Sequence, residues 1–418
     1  MSEHPRRLSA LVVNHDSGAW ALRCVESLQR EWERAGRAPR DLELIVVDSG
    51  SNPAESTWWR SLRRAGARVK TSPANVGYAA GLDMAYRLSS GGPEDVVALL
   101  NPDLYFPPGS LEPLLARLEE EPRLGAVGPR LFLDEERALR LPQNLLPTPA
   151  RELGEALAAR WPRLARALAA SRSRRAHAFW SEEGPQRVEM LSGACLFLRR
   201  GVVEELGAPM DVRFPLYFED ADLCARLAAR GRGLELVPAS EVLHHWSRSA
   251  GPDFEGEVAL RHAFGRRLWM RLHHRGPWKG LLLALGAWAQ RRSAKRGARP
   301  MHALEPLGVL RESPTIELPR REGAPGGAFV LELSLTPWWG LAAGVLVEGE
   351  RYALPARSWS WLYPGTYYLR VLDAASGAVL GAWSFEKQSP ARSWPLEAST
   401  FEMTGRRAAT PRVGERVG

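Results

Sequence analysis

Cysteine is nearly missing from this 418-residue chain: Cys24, Cys195 and Cys224 stand far apart, with no CxxC pair and no metal-ligand spacing. That excludes a disulfide framework and a structural zinc site, and it fits a reducing compartment. Long apolar runs are missing too. Leu8 to Val13 is broken at once by Asn14-His15-Asp16, too short for the apolar core of a signal peptide or for a bilayer span. The catalytic part is therefore expected in the cytoplasm. Lysine is scarce, so the 56 basic residues that outweigh 48 acidic ones are overwhelmingly arginine. The resulting charge of +8 admits nucleotides, phospholipid surfaces or nucleic acid as anionic partners. Nucleic acid lacks the further support of an aromatic-basic motif. What is present, 45% hydrophobic and 25% charged residues, describes a globular protein of two or three domains.

The first third alternates short apolar runs with helical patterns: Leu8–Val13 then Ala19–Trp32, Leu42–Val47 then Ala54–Ala65, Arg68–Lys70 then Ala79–Leu88, Val96–Leu100 then Ser110–Glu120. Near-continuous Val/Ile/Leu strands separated by helices predict βαβ units, a parallel sheet covered on both faces and a Rossmann-like half. A second half is expected to complete a mixed sheet: a strand over Val188–Arg200 interrupted by small residues, a helix over Gly201–Leu206, a helix over Ala221–Arg230, and a strand pair from Leu234 to His245. Together these give a catalytic domain over 1–255, in which the Arg/Ala/Pro/Ser-rich stretch 137–185 reads as a helical lid on the acceptor side. A basic helical region follows over 256–310. Its apolar run Leu281–Trp288 is too short to cross a bilayer and suits either an interfacial helix at a membrane surface or packing on the catalytic domain. A linker at 311–327, a small β-sandwich over 328–390 and a flexible tail over 391–418 complete the expected order.

Candidate chemistry concentrates in Phe218-Glu219-Asp220-Ala221-Asp222-Leu223, three carboxylates inside an apolar frame. Such a cluster costs free energy unless a cation, a shared proton or a substrate hydroxyl compensates it. A second acid, Asp103, closes the apolar run that begins at Val96, where a buried strand delivers a carboxylate to its carboxyl end. Ligands of open α/β sheets bind at those ends. The other strand ends carry Asn14-His15-Asp16, Asp48-Ser49-Gly50-Ser51 and Asn75-Val76-Gly77. Two acidic sites at the edges of apolar elements point to a metal-assisted transferase.

In order along the chain, Val13-Asn14, Val46-Val47-Asp48-Ser49-Gly50-Ser51, Asn75-Val76-Gly77-Tyr78-Ala79-Ala80-Gly81, Leu100-Asn101-Pro102-Asp103, Ser192-Gly193-Ala194, Phe218-Glu219-Asp220-Ala221-Asp222 and His244 form a set. This set resembles family 2 glycosyltransferases of the GT-A fold, in particular their rhamnosyltransferase-like branch, over residues 8–250. The resemblance implies an α/β catalytic domain that takes a nucleotide-diphosphate sugar, dTDP-rhamnose or a UDP-sugar. It transfers the sugar with inversion to a glycan or lipid-linked acceptor in surface polysaccharide assembly, at the inner face of the membrane. The same resemblance puts Val13, Asn14, Asp48, Ser51, Asn75, Gly77, Gly81 and Asn101 on the donor nucleotide. Asp48 would accept from a base imide, and the glycines would let backbone approach closely. It makes Asp103 the last acid of the metal motif, with Asn101 in place of the first, and His244 a further ligand or diphosphate contact, for Mg²⁺ or Mn²⁺. It makes Asp220 the catalytic base and puts Glu219, Gly193 and Asp222 on the acceptor side, although an acid in a first helical turn such as Asp222 is equally explained by the helix dipole.

Departures from the family pattern fall at His15-Asp16, Ser49 and Asp83 on the donor side and at Trp246-Ser247-Arg248 on the acceptor side. A reading of another class is an inert scaffold that binds glycans through Trp338, Trp339, Trp359 and Trp361, residues that serve a small core equally well. No oligomeric state is legible.

Overall fold

The structure is a computed structural model that describes residues 7–158, 161–245, 257–276, 279–285, 288, 302–318, 329–337, 339, 342–347 and 349–388. Trp246-Ser247-Arg248, Trp338, most of the expected linker and the tail 391–418 lie outside the described residues. The chain opens with β1 (Leu8–Asn14), α1 (Gly18–Arg34), β2 (Leu42–Ser49), α2 (Ser56–Arg64), β3 (Arg68–Ser72), α3 (Tyr78–Leu88), β4 (Val96–Leu100), β5 (Leu104–Tyr105), α4 (Glu112–Glu120) and β6 (Leu124–Phe132). Then come α5 (Pro149–Ala158), α6 (Pro162–Ser181), β7 (Gln186–Arg187), β8 (Cys195–Arg199), α7 (Arg200–Leu206), α8 (Glu219–Ala228) and β9 (Gly233–His244). These strands form one nine-stranded sheet of order β3-β2-β1-β4-β8-β6-β9-β5, with β7 beside β9. Strands β3, β2, β1 and β4 run parallel, β8 runs against both β4 and β6, and β6 and β9 are parallel.

Both faces of β1 are covered because its residues are apolar on both sides. Leu8, Ala10 and Val12 join Leu44, Val46, Ala98 and Leu100 against α1 and α4. Leu11 and Val13 join Ile45, Val47, Val97 and Leu99 against α3, α7 and α8. Full burial on alternating sides is what makes these strands near-continuous apolar runs. Helix α3 lies so close to β1 that a Cβ on Gly81 would stand 2.7 Å from Val13 Cγ1.

Three details differ from the sequence reading. The extended stretch before Cys195 is not strand, so Gly193 sits in a loop entering β8. Leu234 to His245 is not a pair of strands but the single strand β9, whose pairing with β6 shifts register between Pro129 and Arg130. Helix α8 starts at Glu219, earlier than expected, because Tyr217 and Phe218 turn the chain with φ of 67° and 72°. Left-handed conformations at non-glycine residues cost on the order of 1–3 kcal/mol each and persist only where surroundings enforce them. Here they aim the first turn of α8 at the sheet.

Farther on, α9 (Glu257–His273) packs Trp269 and Met270 against Phe214 and Ala221. A short helical stretch over 279–285 and 288 follows, with Leu281, Leu285 and Trp288 exposed. No helix among the described residues is long and apolar enough to cross a membrane. Next come β10 (Glu305–Leu310), β11 (Ile316–Glu317), β12 (Phe329–Ser334), β13 (Ala343–Val347), β14 (Arg351–Tyr352), α10 (Ala356–Trp361), β15 (Gly365–Asp373) and β16 (Val379–Lys387). A second sheet of order β10-β16-β15-β12-β13 results, and β11 pairs with β14 in a separate ribbon. The sequence reading assigns 305–310 to a helical region and 316–317 to a linker, yet both are strand. Pro306 and Gly308 mark β10 as an edge strand with a register shift, which carries no alternation of burial to read.

The second sheet is covered on one face by Ile316, Leu318, Leu354, Trp359, Leu362 and the distant Leu139. Its other face packs Val330 and Leu372 on Ala176 and Trp180 of α6. Trp339, Trp359 and Trp361 are 1%, 5% and 2% exposed, so they pack inside the protein and offer no open platform to a sugar.

Candidate active site

Strand register assembles the site. In the β1–β2 pair Asn14 stands opposite Asp48, so the two polar strand ends meet. Asn14 Nδ2 donates to Asp48 Oδ1 at 2.7 Å, and Ser51 donates to the same carboxylate through Oγ at 2.6 Å and through N at 3.3 Å. Asp48 is thereby fixed in one orientation, almost wholly buried. Beside it Ser49 Oγ donates to Asn75 Oδ1, which also accepts from Gly77 N at 2.9 Å. Gly77 has φ of +82°, and a Cβ there would meet Pro215 O at 2.5 Å, so glycine alone fits this turn.

The second cluster forms where β4 ends. Asn101 N donates to Ala194 O at 2.8 Å, tying the exit of β4 to the loop that holds Gly193. Leu104 of β5 stands opposite His244 of β9, and His245 N donates to Asp103 O at 3.1 Å. This short ladder brings the side chains of Asp103 and His244 together, with Oδ1 and Nε2 3.4 Å apart. Asn101 Nδ2 lies 3.3 Å from the same Nε2. Burial works to raise the Asp103 pKa, but the neighbouring imidazoles of His244 and His245 outweigh it and leave the carboxyl below its ordinary value.

Across from this pair lies the first turn of α8. Asp220 Oδ2 accepts from Gly193 N at 3.1 Å and Oδ1 from Ala221 N at 2.9 Å. Burial raises the Asp220 pKa while those N–H groups restrain the rise. For Glu219, burial and the Asp220 charge outweigh the pull of its own backbone N–H and push it up to about 8, and its Oε2 is buried without a hydrogen bond. Two adjacent carboxyls in one low-dielectric pocket cannot both hold charge cheaply, so the pair holds protons above the ordinary carboxylate range.

Asn101, Asp103, His244, Gly193, Glu219 and Asp220 all line one cleft of about 660 Å³. Asp222 does not. It turns away from the cleft, taking Arg226 Nε at 2.6 Å and His273 Nε2 of α9 at 2.7 Å, so its expected acceptor contact is corrected to a structural pairing. Two helical residues apart, Asp222 and Asp220 face different sides. Nor do Asn14, Asp48, Ser51 and Asn75 line this cleft; they form the separate polar group at the neighbouring strand ends. Sequence reasoning missed Tyr78, whose buried hydroxyl donates to Gly193 O at 3.1 Å and whose pKa is driven upward by burial, so the donor proton stays in place. Its place directly after Gly77 was the available signal. Gln143, Asn144 and Phe179 of the 137–185 insertion form another wall of the cleft.

The donor set fits a hard divalent cation. Asp103 Oδ1 is buried without a hydrogen bond and faces an imidazole nitrogen. Among the described residues no cluster of three or more His, Cys, Asp or Glu side chains has ligand geometry. A two-residue oxygen–nitrogen pair suits Mg²⁺ or Mn²⁺ shared with substrate phosphates, since such ions are held by few protein groups.

A mixed α/β sheet with polar groups at its strand ends beside a carboxylate-lined cleft is the arrangement that the sequence resemblance to GT-A glycosyltransferases implies. The family model described as "Glycosyl transferase family 2" matches residues 9–207, just under half of the chain. A curated relative is the N-acetylglucosaminyl-diphospho-decaprenol L-rhamnosyltransferase of Mycobacterium tuberculosis, 29% identical over 309 residues, which span 70% of this chain and 95% of the relative. Among solved structures, GalNAc-T7 with UDP, GalNAc and Mn²⁺ is 16% identical with a TM-score of 0.44, covering 65% of this chain and 48% of its own. The mannosyltransferase PcManGT of Pyrobaculum calidifontis with GDP-Man and Mn²⁺ is 14% identical with a TM-score of 0.39, covering 72% and 78%. Overlaps of that size are likenesses of partial topology and carry no weight for substrate or metal.

Proposed function

We propose that this glycosyltransferase is inverting and dependent on a divalent cation. In this reading it moves a sugar from a nucleotide diphosphate, with dTDP-rhamnose or a UDP-sugar as donor, to a hydroxyl of a glycan or lipid-linked acceptor in surface polysaccharide assembly. The observation that carries the reading is the shared cleft: the Asp103–His244 pair and Asp220 line one cavity of a size for a sugar and its neighbour. The relative's printed name, a transferase of L-rhamnose to a diphospho-decaprenol acceptor, supports the choice of donor and of a lipid-linked acceptor. Residues 1–255 act as the catalytic unit at the cytoplasmic face of the membrane, with 137–185 as its acceptor-side wall.

The donor nucleotide lies along Asn14, Asp48, Ser51, Asn75 and Gly77, where the prefixed Asp48 carboxylate accepts from the base without further ordering cost. Asp103 and His244 hold the cation, which when bound neutralises charge on the departing diphosphate. Asp220 accepts the acceptor hydroxyl proton as that oxygen forms its bond to the anomeric carbon, while the bond to the diphosphate breaks on the opposite face with its electron pair. Burial strengthens Asp220 as a base, and the Gly193 and Ala221 N–H groups hold its two oxygens in a fixed orientation. Glu219, kept neutral, donates a hydrogen bond to a substrate oxygen. Asp220→Asn tests the assignment: sugar transfer should disappear while nucleotide-sugar binding, followed by calorimetry, persists. Full transfer by that variant refutes it.

A further inference from the structure

The matched family segment ends at residue 207, yet the second sheet reaches back to the strand that ends in His244. Its agent is α10. This helix presents Ser358 and Trp361, three residues apart and so on one face, to the catalytic part. Ser358 Oγ donates to Asp134 Oδ2 at 2.5 Å, and Asp134 Oδ1 accepts from Leu139 N at 2.7 Å. Trp361 stacks on His245, with ring centroids 4.6 Å apart and planes 22° from parallel. Trp20 of α1 also packs on His245, at 5.0 Å and 46°, and its ring lies 6.4 Å from that of Trp361, so the three rings form one cluster. The imidazole is thus held in a corner between an indole from the first helix and one from the C-terminal sheet region, 2% exposed.

His245 immediately follows His244, the last residue of β9. Fixing the His245 ring among the indoles fixes the backbone it shares with His244, and with it the approach of the His244 ring to Asp103. The His245 N–H bond to Asp103 O completes the constraint from the backbone. We propose that Trp361 is a positioning residue for the Asp103–His244 pair, so that the second sheet acts as a structural half of the diphosphate-and-cation site. This rests on the metal reading above, and it gives the C-terminal region a role inside the reaction in place of a separate binding function.

The test uses the full chain and reads Mn²⁺ binding in the presence of saturating UDP, by the free-Mn²⁺ electron paramagnetic resonance signal. Trp361→Leu, which keeps an apolar side chain but removes the ring face, should raise the Mn²⁺ dissociation constant on the order of 10-fold, the size of effect known for outer partners of metal ligands. Trp361→Phe should restore most of it, and Trp20→Leu, which removes the other ring packed on His245, should repeat the loss. Trp359→Leu is the control, because Trp359 points into the sheet's own core against Phe385 at 5.4 Å. It should lower the melting temperature at least as much as Trp361→Leu and leave Mn²⁺ affinity within about twofold of wild type. Equal Mn²⁺ affinity in wild type and Trp361→Leu overturns the proposal and leaves the metal reading standing. Equal weakening by Trp359→Leu overturns it too, since general loosening of the sheet then suffices. Absence of Mn²⁺ binding by wild type ends both readings.

Discussion

Gly193 is the sharpest lever on the proposed base. A Cβ at this position would lie 2.7 Å from Asp220 Cβ and 3.3 Å from its Cγ and Oδ2. Ordinary contacts begin at 3.4 Å, so in Gly193→Ala the Asp220 side chain must retreat by about 0.7 Å. The retreat also stretches the 3.1 Å bond from Gly193 N that orients Oδ2. Displacement of a reacting group by about 1 Å costs on the order of 100-fold in rate, or about 2.7 kcal/mol of transition-state stabilisation. Sugar transfer followed by release of the nucleoside diphosphate should therefore show kcat lowered about 100-fold. The donor KM should stay near its wild-type value, because the nucleotide groups lie at other strand ends. Gly193 is in a loop without left-handed backbone, so the added Cβ costs no backbone strain and the loss of stability should stay within about 1–3 kcal/mol, the range for an overpacked contact. A kcat within about threefold of wild type in a variant that is folded would show that Asp220 does not act from its observed position.

Glu219 gives a pH prediction. Its folded-state pKa of about 8 stands above the ordinary 4.5, so between those values the folded protein holds a proton that the unfolded chain releases. Stability contributed by this group is full below about pH 4.5 and is lost as pH rises toward 8. Thermal melts of wild type should accordingly decline over that window more than those of Glu219→Gln; parallel pH profiles would contradict the assignment. Asp48→Asn removes the charge held by Asn14 and Ser51 and should weaken UDP or dTDP binding by roughly 10-fold or more in calorimetry, the range for hydrogen bonds to a charged group. Unchanged affinity would remove Asp48 from the nucleotide site. Gly81→Ala should lower stability by about 1–3 kcal/mol through overpacking on Val13. Gly92→Ala, with no atom within 4 Å of its added Cβ, should leave the melt unchanged.

The parts of the fold that were legible are those where burial is two-sided. Leu8–Val13, Leu42–Val47 and Val96–Leu100 read as strands because helices cover both of their faces, which favours an apolar residue at nearly every step, Ser9 and Glu43 excepted. Asp103 and the pair Glu219-Asp220 were legible as chemistry because acids next to Leu100 or Phe218 have no cheap structural explanation. Asp222 carries the same acidic signal but has a partner 51 residues away in His273, which no local pattern reveals. The pairing of Trp361 with His245 is hidden for the same reason, since stacking leaves no spacing rule in sequence. Strand β10 escaped because its burial depends on a bulged edge and not on alternation.

At Gly344 the indole of Trp180 occupies the volume that any larger residue would need, with its ring carbons standing where a Cβ would be. The backbone there also exchanges both hydrogen bonds with Arg140, at 2.8 and 2.9 Å. The arm that walls the cleft is therefore keyed into the terminal sheet as a tenon into a mortise. An engineer wishing to change acceptor preference by grafting another arm over 137–185 would have to transplant the receiving sheet with it, or recut both surfaces together.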